Sequence, residues 1–464
     1  MSLRTLNSRV AMRWTRLGSG FLPFADLATD TLPWSRLLRL SLFQVSVGMA
    51  ITLLIGTLNR VMIVELGVPA WLVATMVSLP LVFAPLRAVI GFKSDTHRSV
   101  LGWRRVPYLW FGTLLQFGGF SIMPFALLIL SGDTTGPLWV GHVAAALAFL
   151  LVGAGLHTVQ TVGLALATDI SPQEQHPKVV ALLCMMMLLG MVVSGVWFGI
   201  ALQAFTEIKL VQAIQGAAVL TVMLNAAALW KQEARNPQAT AARQTPGFRD
   251  TWRQFNQGSQ ATRRLIALGL GTIAFSMQDI LLEPYGGHVL GLSVGATTAM
   301  TAMLALGGLF GFGSAAVLLG RGMDPYRLAG SGALVGLVAF TCVIFAAPFH
   351  SVAFFAMGVF LIGLGAGLFA HCTLTAAMAT AQRGHVGLTL GIWGAVQATA
   401  AGTAVAAGGL ISDGVSHWVG NGTTGYVTVY TIEIALLFAT LVAIGPLVRF
   451  AAPGRAHSSP LPTC

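Results

Sequence analysis

The sequence predicts an all-α membrane protein of twelve transmembrane helices, arranged as two six-helix, pseudo-symmetric halves. Three observations carry that prediction. Of 464 residues, 55% are hydrophobic and 9% charged, with mean hydropathy +0.78, whereas ordinary soluble domains are about a quarter charged. Crossing a bilayer takes ~20 apolar residues, and runs of that length recur twelve times between charge clusters and Gly/Pro breaks. Short strings from the first half return in order in the second.

The runs lie near 41–63, 70–91, 106–130, 139–167, 179–204, 210–230, 265–287, 292–320, 328–348, 351–378, 386–411 and 426–448, and are called spans 1 to 12. Ahead of them, Leu3, Leu6, Val10, Trp14 and Leu17 form one helical stripe with Arg4, Arg9, Arg13 and Arg16 around it. That stripe suits a helix lying on anionic lipid, with a frayed basic tail as the alternative. The organisation expected is a basic segment at 1–36, a first bundle at 37–230, a linker at 231–263, a second bundle at 264–450 and a tail at 451–464. The linker is rich in Arg, Gln, Ala and Thr and too short to be a domain, so it reads as a tether.

Internal duplication supports the two halves. LGVPAWLVATM at 66–76 matches LGLSVGATTAM at 290–300, Gly91 to Asp95 recurs as Gly320 to Asp324, and GAGL recurs at 153–156 and 365–368. A pseudo-two-fold axis along the membrane normal is expected, with spans 1, 4, 7 and 10 lining the interface between halves.

The net charge of +11 does not point to nucleic acid. Arginine and lysine gather before span 1, between spans 6 and 7 and on the other loops of that side, while the opposite loops carry only Lys209. This is the positive-inside pattern, so both termini are expected to be cytoplasmic. Cys184, Cys342 and Cys372 fall inside spans and show no disulfide framework. No cleavable signal peptide is expected, because the first apolar run starts near residue 40.

Between spans 2 and 3, GFKSDTHRSVLGWRRVPY concentrates charge that cannot lie in hydrocarbon. Its Gly91, Asp95, Gly102, Arg104 and Arg105 resemble the signature loop of the major facilitator superfamily, although the spacer from Thr96 to Leu101 is longer. A plain anchor on anionic lipid is the alternative. The resemblance implies that Asp95 accepts hydrogen bonds at the start of span 11, near Val386 to Thr389, and that Asp324 approaches span 5 in the mirror role.

Longer strings are more specific. TLNRVMIVELGVPAWLVA, the loop above, GAGLHTVQTVGLALATD, FSMQDILLEPYGG and LGIWGAVQATAAG resemble the PucC/LhaA proteins of photosynthetic bacteria, the bacteriochlorophyll delivery family within that superfamily. The likeness covers roughly residues 18 to 450, with His288 standing where the family is expected to carry an acid or amide. It implies an inner or intracytoplasmic photosynthetic membrane and assembly of light-harvesting antenna complexes, with bacteriochlorophyll handled as antenna polypeptides insert. Antenna polypeptides, pigment biosynthesis enzymes, insertion machinery and membrane lipids are the partners implied. Nothing is implied about carotenoid.

Intramembrane histidine is the natural axial ligand for a chlorin's magnesium. His157 and His371 are the candidates, and each has glycine four residues earlier (Gly153, Gly367) and threonine four later. Helical side chains lean toward the N-terminus, so that glycine is expected to clear a flat patch for the ring. The GAGL match instead pairs residue 157 with 369, leaving the register open. His157 is favoured over His371 because Gln160 and Thr161 extend its polar face. A histidine simply hydrogen-bonded between helices is the alternative.

Asp279 and Glu283 lie one turn apart in span 7, with Arg60 in span 1, Arg87 in span 2 and Glu433 in span 12. Each needs a partner or a wet cavity at that depth. They read either as structural ion pairs or as proton-coupling groups. An Arg60 bridge to Glu283 or Asp279 is expected, with local pairing to Glu65 as the competitor. No nucleophile, base and orienter set, phosphate loop or metal cluster is evident, so an enzyme is not expected. Two functions stay open: an antenna assembly factor that handles pigment, and a proton-coupled exporter of a small amphiphile.

Overall fold

The computed structural model describes residues 34–82, 87, 90, 94, 105–132, 136–172, 176–233, 260–380 and 386–448. All regular structure among them is helical. Eleven helices are long and apolar enough to cross a membrane, and a shorter one, Ala70–Leu81, stands where span 2 is expected. The protein is a multi-pass membrane protein. The N-terminal stripe, most of the linker, and Gly91, Asp95, Gly102 and Arg104 lie outside the described residues, as does the expected contact of Asp95.

Span 1 runs from Trp34–Ile51 through two wide turns, Thr52–Leu58 and Val61–Glu65. Span 2 begins at Ala70–Val82, and spans 3 to 6 are Val106–Leu130, Leu138–Ile170, His176–Ala201 and Glu207–Leu229. Span 7 is broken into Ala261–Ser276, a 3₁₀ turn at Met277–Ile280 and Leu282–His288. Spans 8 to 12 are Val294–Gly320, Pro325–Ala346, Val352–Thr380, Val386–Val419 and Gly422–Ile444.

The repeat at 66–76 and 290–300 begins alike in the two halves. Gly67 and Gly291 both take positive φ, 64° and 65°, a conformation that L side chains avoid and that glycine adopts freely. Each ends its span with a matching reverse bond, Val68 N–H to Met62 O at 2.8 Å and Leu292 N–H to Gly286 O at 3.0 Å. Asp324 caps the start of its own span 9, accepting from Arg327 N–H at 2.9 Å.

Small residues decide which helices touch. Span 3 meets span 4 where a Cβ on Gly155 would lie 2.4 Å from Gly112 O, and span 9 meets span 10 where one on Gly365 would lie 2.7 Å from Gly332 O. Without hydrophobic driving force between helices in lipid, such close backbone approach supplies the packing. Between halves the same logic corrects the expected interface. Span 5 packs on span 8 and span 2 on span 11, with spans 1 and 7 central, while spans 4 and 10 pack mainly within their own halves. The crossings are built on Gly199 against Gly295 O, and on Gly409 against Ala70 O and Trp71 Cα. Spans 4 and 10 spend their glycines on neighbours inside each half.

Candidate functional site

Spans 1 and 7 lose regular α-geometry at the same level. Counting back from the matched Gly67 and Gly291, the wide turn Thr52–Leu58 corresponds to the 3₁₀ break Met277–Ile280. Broken helices free backbone groups, tolerated at membrane depth only where protein satisfies them. Here Gln278 N–H donates to Glu433 Oε1 at 2.7 Å, and Asn59 Nδ2 donates to Ile280 O at 3.4 Å. Buried Glu433 therefore holds the break from span 12.

Asp279 stands within that break and Glu283 in the first turn of the helix that follows it. Asp279 Oδ1 accepts from Gln278 Nε2 at 2.5 Å, and Glu283 Oε1 accepts from Thr301 Oγ1 at 2.5 Å. Both line a cavity of about 130 Å³ between the halves, lined also by Ile51 and Ile55 of span 1, Met191 of span 5 and Leu304 of span 8. Thr301 and Gln278 complete its polar lining. Thr301 and Gln278 are functional candidates that sequence reasoning missed. Threonine is common in helices, and only the packing shows this one entering the notch left by Gly56 of span 1.

Arg60 does not bridge to Asp279 or Glu283. Its guanidinium pairs with Glu65, and Nη2 donates to Leu292 O at 3.0 Å. An α-helix sets residues five apart about 140° apart. The turn Val61–Glu65 is a π-turn, whose i to i+5 hydrogen bonds bring such residues toward one face. Arg60 still reaches the second half, but through a carbonyl. Gly287 gives it room, since a Cβ there would lie 3.2 Å from Nε and Nη2.

The histidines sit otherwise than their flanking residues predict. A Cβ on Gly153 would lie 2.3 Å from Pro80 Cγ, and one on Gly367 2.6 Å from Gly308 O. Both expected clearings are filled by neighbouring helices, so neither offers a flat patch for a ring. Gln160 Oε1 and Thr161 Oγ1 accept from Arg87 at 3.0 Å each, so that polar face is tied to span 2. His157 Nδ1 and His371 Nδ1 are buried without hydrogen-bond partners, and His371 meets the Phe312 ring edge to face at 4.8 Å. The contacts also settle the register. Gly153 on Pro80 and Gly363 on Leu304 O are equivalent span 2–4 and span 8–10 contacts, as are Gly155 on Gly112 and Gly365 on Gly332. His157 therefore corresponds to Gly367, and His371 to Thr161, so neither register read from the sequence holds.

At the opposite end of the bundle, buried Arg105 of the signature loop pairs inward. Its Nε donates to Asp169 Oδ2 at 3.0 Å and Nη1 to Ser94 Oγ at 2.6 Å. Glu233 caps span 3, accepting from Arg105 N–H and Val106 N–H at 3.0 Å. Arg36 and Gln232 exchange bonds beside it, so residues 232 and 233 are docked rather than part of a free tether. Among the described residues, no three His, Cys, Asp or Glu side chains gather as a metal cluster.

A sequence profile of the family described as PUCC protein matches residues 57–452. "Protein PucC" of Rhodovulum sulfidophilum is 56% identical over 422 residues, covering 89% of this chain and 92% of the relative. "Protein PucC" of Cereibacter sphaeroides is 52% identical over 456 residues, 97% and 99% of the two chains. The "Bacteriochlorophyll synthase 44.5 kDa chain" of Rhodobacter capsulatus is 28% identical, covering 83% of this chain and 88% of the relative. Among solved structures, a bacterial homologue of the iron transporter ferroportin in its inward-facing state aligns with TM-score 0.65 at 15% identity, over 89% of this chain and 98% of the other. That likeness concerns the fold alone, which is that of the major facilitator superfamily. With a profile and near-full-length relatives both in agreement, this chain belongs to the PUCC family.

Proposed function

We propose that this protein assists assembly of light-harvesting antenna complexes, handling bacteriochlorophyll on its lipid-facing surface while antenna polypeptides insert. Near-full-length membership of the PUCC family carries this reading. The lateral location is supported by size. The cavities beside the polar groups of spans 1 and 7 measure about 130 and 160 Å³, whereas pockets for drug-sized ligands run to ~300–1,000 Å³, and a chlorin with its tail is larger still. The outward face of span 3, by contrast, exposes Trp110, Phe111, Phe117 and Phe125, a broad aromatic surface against which a flat ring can lie. The proposed setting is the bacterial inner photosynthetic membrane with both termini cytoplasmic.

Deleting the gene and recording near-infrared absorbance of the membranes tests the proposal. Loss of antenna bands with reaction-centre absorbance retained is the expected result; normal antenna bands would overturn it. The second reading, a proton-coupled exporter of a small amphiphile, is favoured by the buried carboxylates at the junction of the halves. Substrate-stimulated proton flux in proteoliposomes, without any antenna defect, would select it.

A further inference from the structure

The junction of the two halves gathers two buried carboxyl groups without a basic partner. Asp279 and Glu283 line one cavity, and no Lys, Arg or His contributes to its wall. The nearest guanidinium expected there, that of Arg60, is taken up by Glu65 and Leu292 O. Arg60 pairs with Glu65 and Arg105 with Asp169, and none of these residues lines the cavity. Ionised carboxylates one turn apart on a helix repel each other, and charge at membrane depth is costly. In its ionised form the site calls for a countercharge.

A second observation points the same way. Gln278 is 1% exposed and lies on the cavity wall, and its Oε1 has no hydrogen-bond partner. Its Nε2 is committed to Asp279, so the carbonyl end is the end left over. A buried acceptor with nothing to accept from is destabilising. The polar wall thus offers carboxylate oxygens, a carboxamide oxygen and a hydroxyl oxygen, and the Met191 thioether is the one sulfur in the lining.

Oxygen donors of this kind suit hard cations. Calcium sites use six to eight oxygens with several carboxylates, and magnesium demands near-ideal octahedral geometry. Two close carboxyl groups that share one proton leave a single negative charge, which a monovalent ion balances. A volume of about 130 Å³ holds roughly four waters at ~30 Å³ each, which is room for a small ion and part of its hydration shell. We propose that Asp279, Glu283, Gln278 and Thr301 form a binding site for a small monovalent inorganic cation of sodium's kind. Because Ile51 and Ile55 of span 1 and Met191 of span 5 share the cavity lining with these groups, an ion here stabilises the packed arrangement of the two halves. The site is independent of whether pigment is handled at the lipid face.

The test uses the full chain purified in detergent. Its thermal unfolding is followed while sodium chloride replaces choline chloride at constant ionic strength, with lithium, potassium, magnesium and calcium chlorides in parallel. Saturable stabilisation by sodium or lithium is expected, because a ligand that binds only the folded state raises its melting temperature. Asp279→Asn and Glu283→Gln should each weaken the apparent affinity about tenfold, the loss expected when one charged ligand is neutralised. Thr301→Val, close to isosteric, guards against variants that fail to fold and should weaken it less. Calorimetric titration of the unaltered chain with sodium provides a readout that needs no variant and should find one site per chain. Equal responses to sodium and choline, a sodium response unchanged in the Asp279→Asn/Glu283→Gln double variant, stabilisation by divalent ions alone, or no saturable heat would each overturn the proposal.

Discussion

Thr301 of span 8 donates its hydroxyl to Glu283 of span 7 at 2.5 Å, and reaches it through the notch that Gly56 leaves in span 1. Three helices from both halves therefore share one contact. A Cβ on residue 56 would lie 2.2 Å from Thr301 Oγ1. Gly56→Ala should displace the hydroxyl and destabilise the chain by about 1–3 kcal/mol, the usual range for overpacking. Adding Thr301→Ala should relieve part of that loss. Thermal unfolding of the four members of the cycle checks the coupling, and additive effects would show that the notch does not matter.

Arg60 should couple energetically to Glu65 and not to Glu283. Glu65→Leu leaves a buried guanidinium that still donates to Leu292 O, so a loss of about 1.5–3 kcal/mol is expected, typical of hydrogen bonds to charged groups. The double variant Arg60→Leu/Glu65→Leu should recover some of it. Arg60→Leu combined with Glu283→Gln should be additive to within about 0.5 kcal/mol, as for residues that share no partner.

Glu233 ties the chain after span 6 to the first turn of span 3. Removing its carboxylate in Glu233→Ala exposes the Arg105 and Val106 amides and should cost about 0.5–2 kcal/mol, the range for a lost helix cap. The linker should then be cut faster by protease, because its attachment at residue 233 is released. An unchanged cleavage rate would argue that Arg36 and Gln232 anchor the segment alone.

Pigment that co-purifies should not depend on the interior histidines. Pro80 and Gly308 occupy the spaces beside Gly153 and Gly367, leaving no patch for a ring at either position. His157→Leu and His371→Leu should each retain pigment per folded protein at the level of the unaltered chain. A large loss in either would restore that histidine as a ligand. Gly153→Ala and Gly367→Ala should impair folding with or without pigment.

Composition and run length sufficed for the membrane class and the number of spans, since the cost of placing charge in hydrocarbon marks loops wherever charges cluster. The repeat at 66–76 and 290–300 was also legible, because Gly67 and Gly291 serve a local backbone conformation that depends on glycine itself. The candidate site was legible in its charges and not in its pairings. Asp279, Glu283, Glu433 and Arg60 stand out in an apolar sequence because each is expensive there. Which of them meet depends on helix geometry that residue spacing does not encode. The π-turn after Arg60 brings Glu65 within reach, and the 3₁₀ break turns the Gln278 amide toward Glu433. The glycines before His157 and His371 carried the same ambiguity: a missing side chain admits a ring or a neighbouring helix equally well. Only the packing of span 4 on Pro80 and span 10 on Gly308 decided for the helix, because in lipid close contact between backbones is itself a main source of association.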